Sequence, residues 1–570
     1  MKAFTEPLLS LAGFEEMTKT AEKSSGLISV TGCIDAQKSQ MIYAFGGHRK
    51  NKLIVTFGEQ KAKELYDEYS FFDKEVVYYP SKDVLFYQSD IRGNLLTAER
   101  IRALKAIREQ ESVTLVTTFD ALMNTMAPIE KMWENVLTLE LGQLLDLKEI
   151  QAALIRMGYE KEYQVQTMGQ FSVRGGILDV FPLTEENPIR IELWGDEIDT
   201  IRYFDCESQK SIENIDRVSI YPAAELVLSD EEKAGGIDKL KAEAKRVSDK
   251  LRKQMKTEEA HRVTVMADEL TEEWGELSMY AGMDAFLSYF FDERVGLLDY
   301  FKPSDSLIFF DELTRCVEQG KLTETEFSES MKQRLAMGYI LPGQMNGLFT
   351  EKEIVAKLEK YSCIALGALD NKANGLHQLG SYGIHCQSVS PYNNSFELLI
   401  KDLKRYKKNG YRVILLSGSR TRAKRLSEDI TDQGITCFYT ENYDHELFEG
   451  QIMVCYGKVR RGFEYPILKF AVITESDIFG AQQKKKKRHR TYEGEKIQSF
   501  TDLSVGDYVV HENHGLGIYR GIEKLEVDKK VKDYIKIEYQ GGSNLYILAT
   551  QLDMIQKYAG KDARKPKLNK

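Results

Sequence analysis

The 570-residue chain reads as a multidomain α/β protein, and three observations lead there. Strand-like and helix-like runs alternate over residues 27–138 and again over 395–482, the pattern of parallel, doubly wound sheets. Between 139 and 225 the alternation gives way to short β-branched and aromatic runs separated by Gly-Gly and Gly-Asp, the grammar of a small antiparallel sheet. From 497 to 570 short strands return with a Gln540-Gly541-Gly542 hairpin turn, as in a small β-barrel. A chain of this length exceeds what one hydrophobic core supports, so roughly three to five domains are expected.

Composition narrows the function classes. With 42% hydrophobic and 29% charged residues the chain is an ordinary globular one, and its formal net charge of -10 confines any nucleic-acid contact to a local patch. Seven scattered cysteines without a CxxC pair suit a reducing compartment and exclude a zinc knuckle or disulfide framework. The start, MKAFTEPLLSLAGFEE, lacks a basic n-region and a continuous apolar core, and no apolar run approaches the roughly 18 residues of a membrane span. A cytoplasmic protein with no membrane partner is expected.

Residues 27–31 form an apolar strand that runs into Gly32-Cys33-Ile34-Asp35-Ala36-Gln37-Lys38-Ser39 and a helix-like stretch, 40–45. Strand, loop and helix with a terminal Lys-Ser is the P-loop layout, in which backbone N–H groups wrap phosphates, Lys neutralises charge and Ser holds magnesium. Gln37 stands where the second glycine belongs, and a side chain there obstructs the cradle. The loop is therefore read as a degenerate nucleotide site kept as architecture. Strands at 52–57, 75–79 and 112–118 and helices at 60–69 and 98–109 continue the parallel sheet. At 306–312 an apolar strand ends in Asp311-Glu312, the Walker B arrangement, with no working phosphate loop to serve.

Inside the antiparallel stretch, strands at 171–173, 177–181, 189–194 and 198–204 are expected. Side chains alternate along a strand, so if Ile191 and Leu193 face the core, Arg190, Glu192 and Trp194 share the wet face. Arg174, at the Arg174-Gly175-Gly176 turn, can join them. Trp and Arg together make a hot-spot composition, so this is either a partner-binding face or a patch covered by a neighbouring domain. Replacing Arg190 and Trp194 by alanine is expected to abolish binding with little change in thermal stability.

Farther on, 231–258 is a charged helix with Leu240, Val247 and Leu251 as a narrow apolar stripe. Residues 376–394 are expected to link domains, and SGSRTR at 417–422 is a strand-to-helix turn lacking a Gly-Lys-Ser core. The run KKKKRHR at 484–490 is read as a basic linker with at most weak DNA contact. His511 and His514 form an HxxH pair with no third ligand type nearby, and no metal is expected. Residues 550–558 are expected to close the chain as a helix.

The stretches RGGILDVFP, RIELWGDEIDTIRYFD and VITESDIFG, together with GDYVVHENHGLGIYRGIEKLEV, resemble the Mfd family of bacterial transcription-repair coupling factors. The resemblance implies a degenerate, helicase-like UvrB-type domain in two parts (1–138 and 226–375) around a UvrA-binding-like domain (139–225). A linker (376–394), a small α/β domain (395–482), a basic linker (483–496) and a Tudor/CarD-like RNA-polymerase-interacting domain (497–570) follow. Carried over by position, the UvrA contacts fall on Arg174, Arg190 and Trp194, and the contact to the polymerase β subunit falls on Leu525. Leu548 departs from the proline usual in relatives. The implied function is an adapter between stalled RNA polymerase and UvrA. ATP and magnesium belong only to a translocase motor that this chain lacks, along with the main DNA contact. The rival readings are a CarD-like transcription regulator and a UvrB-like ATP-dependent helicase.

Overall fold

Seven strands run parallel in one sheet, in the order Gln378–Gly383, Gly26–Thr31, Ser362–Leu366, Ser306–Asp311, Asn51–Thr56, Thr114–Thr118 and Val77–Tyr79. In this computed structural model the described residues are 1–570 except 46–49, 83–93, 207, 277–282, 370–371, 481–493, 497–502, 512–514, 528–529, 540–543, 549–554 and 559–570. The inner strands are apolar on both faces because helices cover both. Leu53, Val55 and Leu115 point to one side, among Ala98, Leu104 and Phe119. Ile54, Val116 and Phe309 point to the other, among Met41, Ala62 and Leu65. Strands from before and after the antiparallel unit thus interleave in a single sheet.

The inserted unit is a six-stranded sheet ordered Ser211–Asn214, Glu197–Phe204, Ile189–Trp194, Ile177–Val180, Gln170–Arg174 and Glu160–Lys161. All its pairings are antiparallel except the last. Its inner face, Phe171, Leu178, Val180, Ile189, Ile191, Ile198 and Ile201, packs with Leu154 of the helix Leu147–Arg156. A polar joint ties its exit to the large sheet. The buried Arg100 guanidinium lies 4.0 Å over the Tyr79 ring and donates to Pro80 O (2.6 Å) and Glu225 Oε1 (2.8 Å). Burial alone would raise the Glu225 pKa, but Arg100 and Lys82 beside it hold it down at about 2.

Beyond the insertion the narrow apolar stripe of Asp230–Lys253 is buried: Leu240, Ala244 and Leu251 pack with Val263 and Trp274 of Thr257–Glu276. The second α/β sheet is ordered Gln387–Ser388, Phe463–Tyr465, Phe470–Thr474, Arg412–Ser417, Ile452–Tyr456 and Phe438–Tyr439. One face of it, through Ile414, Met453 and Tyr465, shares a core with Phe4 and Phe72 of the first unit. Gln40 crosses the joint, donating to Phe4 O (2.6 Å) and accepting from Tyr465 Oη (3.1 Å).

Two expectations change here. The stretch 376–394, read as a linker, supplies an edge strand to each α/β sheet, Gln378–Gly383 and Gln387–Ser388. Edge strands need only backbone pairing on one side, so Gly- and Ser-rich sequence suffices. At the C-terminus, the β-rich sheet is ordered Gly494–Lys496, Ile555–Tyr558, Tyr508–His511, Gly515–Val527, Lys530–Glu538 and Asn544–Leu548. Ile555–Tyr558 is therefore a strand and not the end of a helix. It is held between two neighbours, with Ile555 buried against Val509 and Ile537, and that pairing overrides a helix-favouring composition. The basic run 484–490, His514 and the turn at Gln540 lie outside the described residues. Among the described residues no helix is long and apolar enough to cross a membrane.

Candidate functional sites: a closed phosphate loop and two exposed faces

The degenerate phosphate loop leaves the strand Gly26–Thr31 at Gly32, whose φ of +79° few side chains tolerate. The glycine is required by a neighbouring strand end, because a Cβ here would clash with Ile384 O. Its N–H is bonded to Ala368 O (3.2 Å), and that of Cys33 to Gly367 O (3.0 Å). The first two amides of the loop are thus already paired within the fold. The helix Asp35–Phe45 starts earlier than expected, so Gln37, Lys38 and Ser39 are buried residues of its first turns.

Lys38 Nζ donates to Asp311 Oδ1 (2.5 Å), Glu312 Oε1 (3.0 Å) and Asp35 Oδ1 (3.1 Å). Asp311 is closed on its other oxygen by Thr56 Oγ1 (2.9 Å), and Glu312 Oε1 accepts from Ala368 N (3.2 Å). Burial works to lower the Lys38 pKa, but Asp311, Glu312 and Asp35 outweigh it and hold the ammonium above the ordinary lysine range. The six residues singled out in the sequence, Gly32, Gln37, Lys38, Ser39, Asp311 and Glu312, do converge at the carboxyl edge of the sheet. Three of them, Lys38, Asp311 and Glu312, form an internal ion cluster, in which the charge that would meet a phosphate is spent on the carboxylates that would meet magnesium, while Gln37 and Ser39 are buried outside it. Neither group fits this arrangement, and no chemistry is derived through them.

On the inserted sheet, Ser172, Asp179, Arg190 and Arg202 stand opposite one another on neighbouring strands, as do Arg174, Ile177, Glu192 and Thr200. Directly paired residues share a face, so these rows and Trp194 form the outer side of the sheet. Arg190 makes a bidentate pair with Asp179, Nε to Oδ1 at 2.7 Å and Nη2 to Oδ2 at 2.8 Å, and lies 4.3 Å over the Phe204 ring. Arg174 Nη2 reaches the same Oδ2 at 2.9 Å. Trp194, at the tip of the hairpin turned by Gly195, is 85% exposed.

Asp179 is the residue of this face that sequence reasoning missed. It is 1% exposed, and it clamps two guanidinium groups side by side in the low-entropy fork geometry. The signal was present in ILDVFP, where one carboxylate interrupts an apolar strand at the position opposite Arg190. The clamp also corrects an expectation. Removing Arg190 uncovers a buried carboxylate, so Arg190→Ala costs stability and is not a clean binding probe. Glu192, in the next row, has its pKa lowered by hydrogen bonds from Arg202 and stays an acceptor.

Leu525 lies on Gly515–Val527, paired with Lys532 across a two-stranded hairpin. Tyr508–His511 pairs with this strand only as far as Ile518, so among the described residues the far side of 522–527 is an open strand edge. The arm is braced near its root by Arg520–Glu538 and Lys536–Glu523 ion pairs, each 2.6 Å.

Comparison with known proteins follows this division. A family model described as the UvrB interaction domain matches residues 137–226, and one described as the CarD-like/TRCF RID domain matches 503–559. A transcription-repair-coupling factor of Bacillus subtilis (strain 168) is 31% identical over 520 residues, covering 91% of this chain and 44% of that protein. One of Staphylococcus haemolyticus is 30% identical over 555 residues, covering 95% and 46%. One of Staphylococcus aureus (strain MRSA252) is 29% identical over 572 residues, covering 98% and 47%. The chain spans about half the length of these curated relatives. Over nearly its whole length, this chain is similar to the transcription-repair-coupling factors, and it matches the UvrB interaction domain and the CarD-like/TRCF RID domain within that length.

Proposed function

We propose that the chain serves transcription-coupled repair as a two-surface adapter, with the outer face of the inserted sheet recruiting UvrA and the C-terminal hairpin engaging RNA polymerase through its β subunit. The observation that carries the reading is the Asp179 clamp. It fixes Arg174 and Arg190 on the same face as a tryptophan whose exposure folding does not require, within the segment that matches the UvrB interaction domain. Fixed guanidinium forks and an exposed indole bind a partner at little ordering cost. At the other end, the open edge at 522–527 offers main-chain pairing to a partner strand, with Leu525 as its apolar contact.

ATP has no part in either contact on this reading, because the Lys38 cluster closes the phosphate loop; the ATP-driven steps and main DNA contact of a coupling factor are assigned to no residue of this chain. The test is capture of purified UvrA and RNA polymerase core on the chain, with and without ATP. Trp194→Ala should lose UvrA alone, and Leu525→Arg should lose polymerase alone. Capture of neither partner by the parent chain refutes the adapter. Polymerase binding with no UvrA binding, even after trimming the chain around the inserted unit, favours a CarD-like regulator.

A further inference from the structure

We propose that the partner face of the inserted unit continues past Trp194 onto Leu144, so that the contact is an apolar strip of two side chains on paired backbone flanking Glu197. The inference rests on reading that face as the UvrA-binding surface. It starts from backbone pairing. The hairpin strand Glu197–Phe204 is covered on its outer edge by Ser211–Asn214 only from Arg202 onward. Its first residues pair instead with the loop at 142–145. Gly142 N donates to Ile198 O (2.8 Å), Ile198 N to Gln143 O (2.9 Å) and Leu145 N to Asp196 O (2.7 Å).

These bonds make Leu144 and Glu197 a non-hydrogen-bonded antiparallel pair, the arrangement in which side chains approach most closely, with Cα atoms about 4.5 Å apart. Glu197 is paired on its other side with Trp194. Directly opposed residues share a face, so Trp194, Glu197 and Leu144 stand in one row on the outer side of the sheet. The alternation agrees: Leu145, the next residue, is buried in the core of the unit, whereas Leu144 is 75% exposed.

A single exposed leucine needs no explanation. Here two large apolar side chains are held in register by paired backbone, on the same face as the Asp179 clamp and two rows along from it, and neither contributes to the core beneath. Their backbone is ordered before any partner arrives, so burying them costs little conformational entropy. The surface that fits is one on UvrA carrying apolar side chains opposite Trp194 and Leu144, a donor or cation opposite Glu197, and carboxylates opposite Arg174 and Arg190.

The experiment measures the affinity of purified UvrA for the full chain and for Leu144→Asp, Leu144→Met, Trp194→Ala and the control Leu322→Asp, with the thermal midpoint of each. Leu322 is also exposed, on the helix Leu313–Ala336 outside the inserted unit. Leu144→Asp should weaken binding by about tenfold or more. Leu144→Met and Leu322→Asp should bind as the parent does. If Trp194→Ala loses UvrA while Leu144→Asp binds normally, the extension is overturned and the face itself stands. If both bind normally, the underlying reading of the face falls, and this inference with it. Should Leu144→Asp lower the thermal midpoint, Leu144→Ala decides by the same criterion.

Discussion

Lys38→Met separates a structural cluster from a nucleotide site most sharply. Methionine approximates the lysine stem, so the change removes the ammonium and little packing. Of the three carboxylates left behind, Asp35 is 69% exposed and its pairing is worth little, whereas Asp311 is 1% exposed. Leaving one buried carboxylate without its cation costs about 3–5 kcal/mol. Retention of the Thr56 hydrogen bond favours the low end, about 3 kcal/mol. The assay is guanidinium unfolding followed by the fluorescence of Trp133 and Trp274, which sit in the first unit and its helical hairpin, in a Trp194→Phe background. Adding Asp311→Asn should restore most of the loss, because the uncompensated charge goes with it. A variant as stable as its parent would falsify the ion cluster as a structural element. A stabilisation of the parent by ATP and magnesium that Lys38→Met abolishes would show instead that the loop still binds nucleotide.

Three further outcomes follow from buried groups. Glu68 is pushed up to about 7 by burial, against the pull of Lys61 and Arg460, from an ordinary 4.5. The folded state therefore binds more protons than the unfolded one between those values, and Glu68 makes stability fall as pH rises through that window, by up to about 1.4 kcal/mol per unit. Glu68→Gln should flatten this slope relative to the parent, and thermal midpoints at pH 5 and pH 8 that shift in parallel would rule it out. Glu225 has the opposite sign: with its folded pKa near 2, its contribution is complete above 4.5 and lost as pH falls toward 2. Glu225→Gln should thus cost about 3 kcal/mol at pH 7 and far less near pH 2, as denaturant midpoints would report. Gly32→Ala should destabilise by at least about 1 kcal/mol, since it adds left-handed strain to a clash with Ile384 O. An unchanged thermal midpoint would return that glycine to a purely phosphate-related role.

Much of this was legible in the sequence because it depends on local pattern. Period-two alternation placed Arg190, Glu192 and Trp194 on one face, and apolar runs between turn residues marked the parallel strands. What failed were segments whose state is set by a distant partner. Residues 378–383 look like linker until Gly26–Thr31 pairs with them, and 555–558 look helical until Tyr508–His511 claims them. Main-chain pairing is indifferent to side-chain identity, so composition carries little record of it.

The same division holds at the sites. The sequence by itself determined which residue types are present and their periodicity: a lysine and two acids in P-loop positions, and a tryptophan and arginines at alternating strand positions. Only the tertiary structure decided what they do. Lys38 and Asp311 are 273 residues apart, and the helix that follows one strand of the parallel sheet and the end of another strand two places away bring them to 2.5 Å, which turns a motif into a salt bridge. Asp179 and Arg190 become a clamp because strand register sets them opposite each other, and Leu144 joins Trp194 because a loop pairs with a free strand edge. Electrostatic and packing energies depend on separation in space, and separation in space is a property of register and topology that no single stretch of sequence contains.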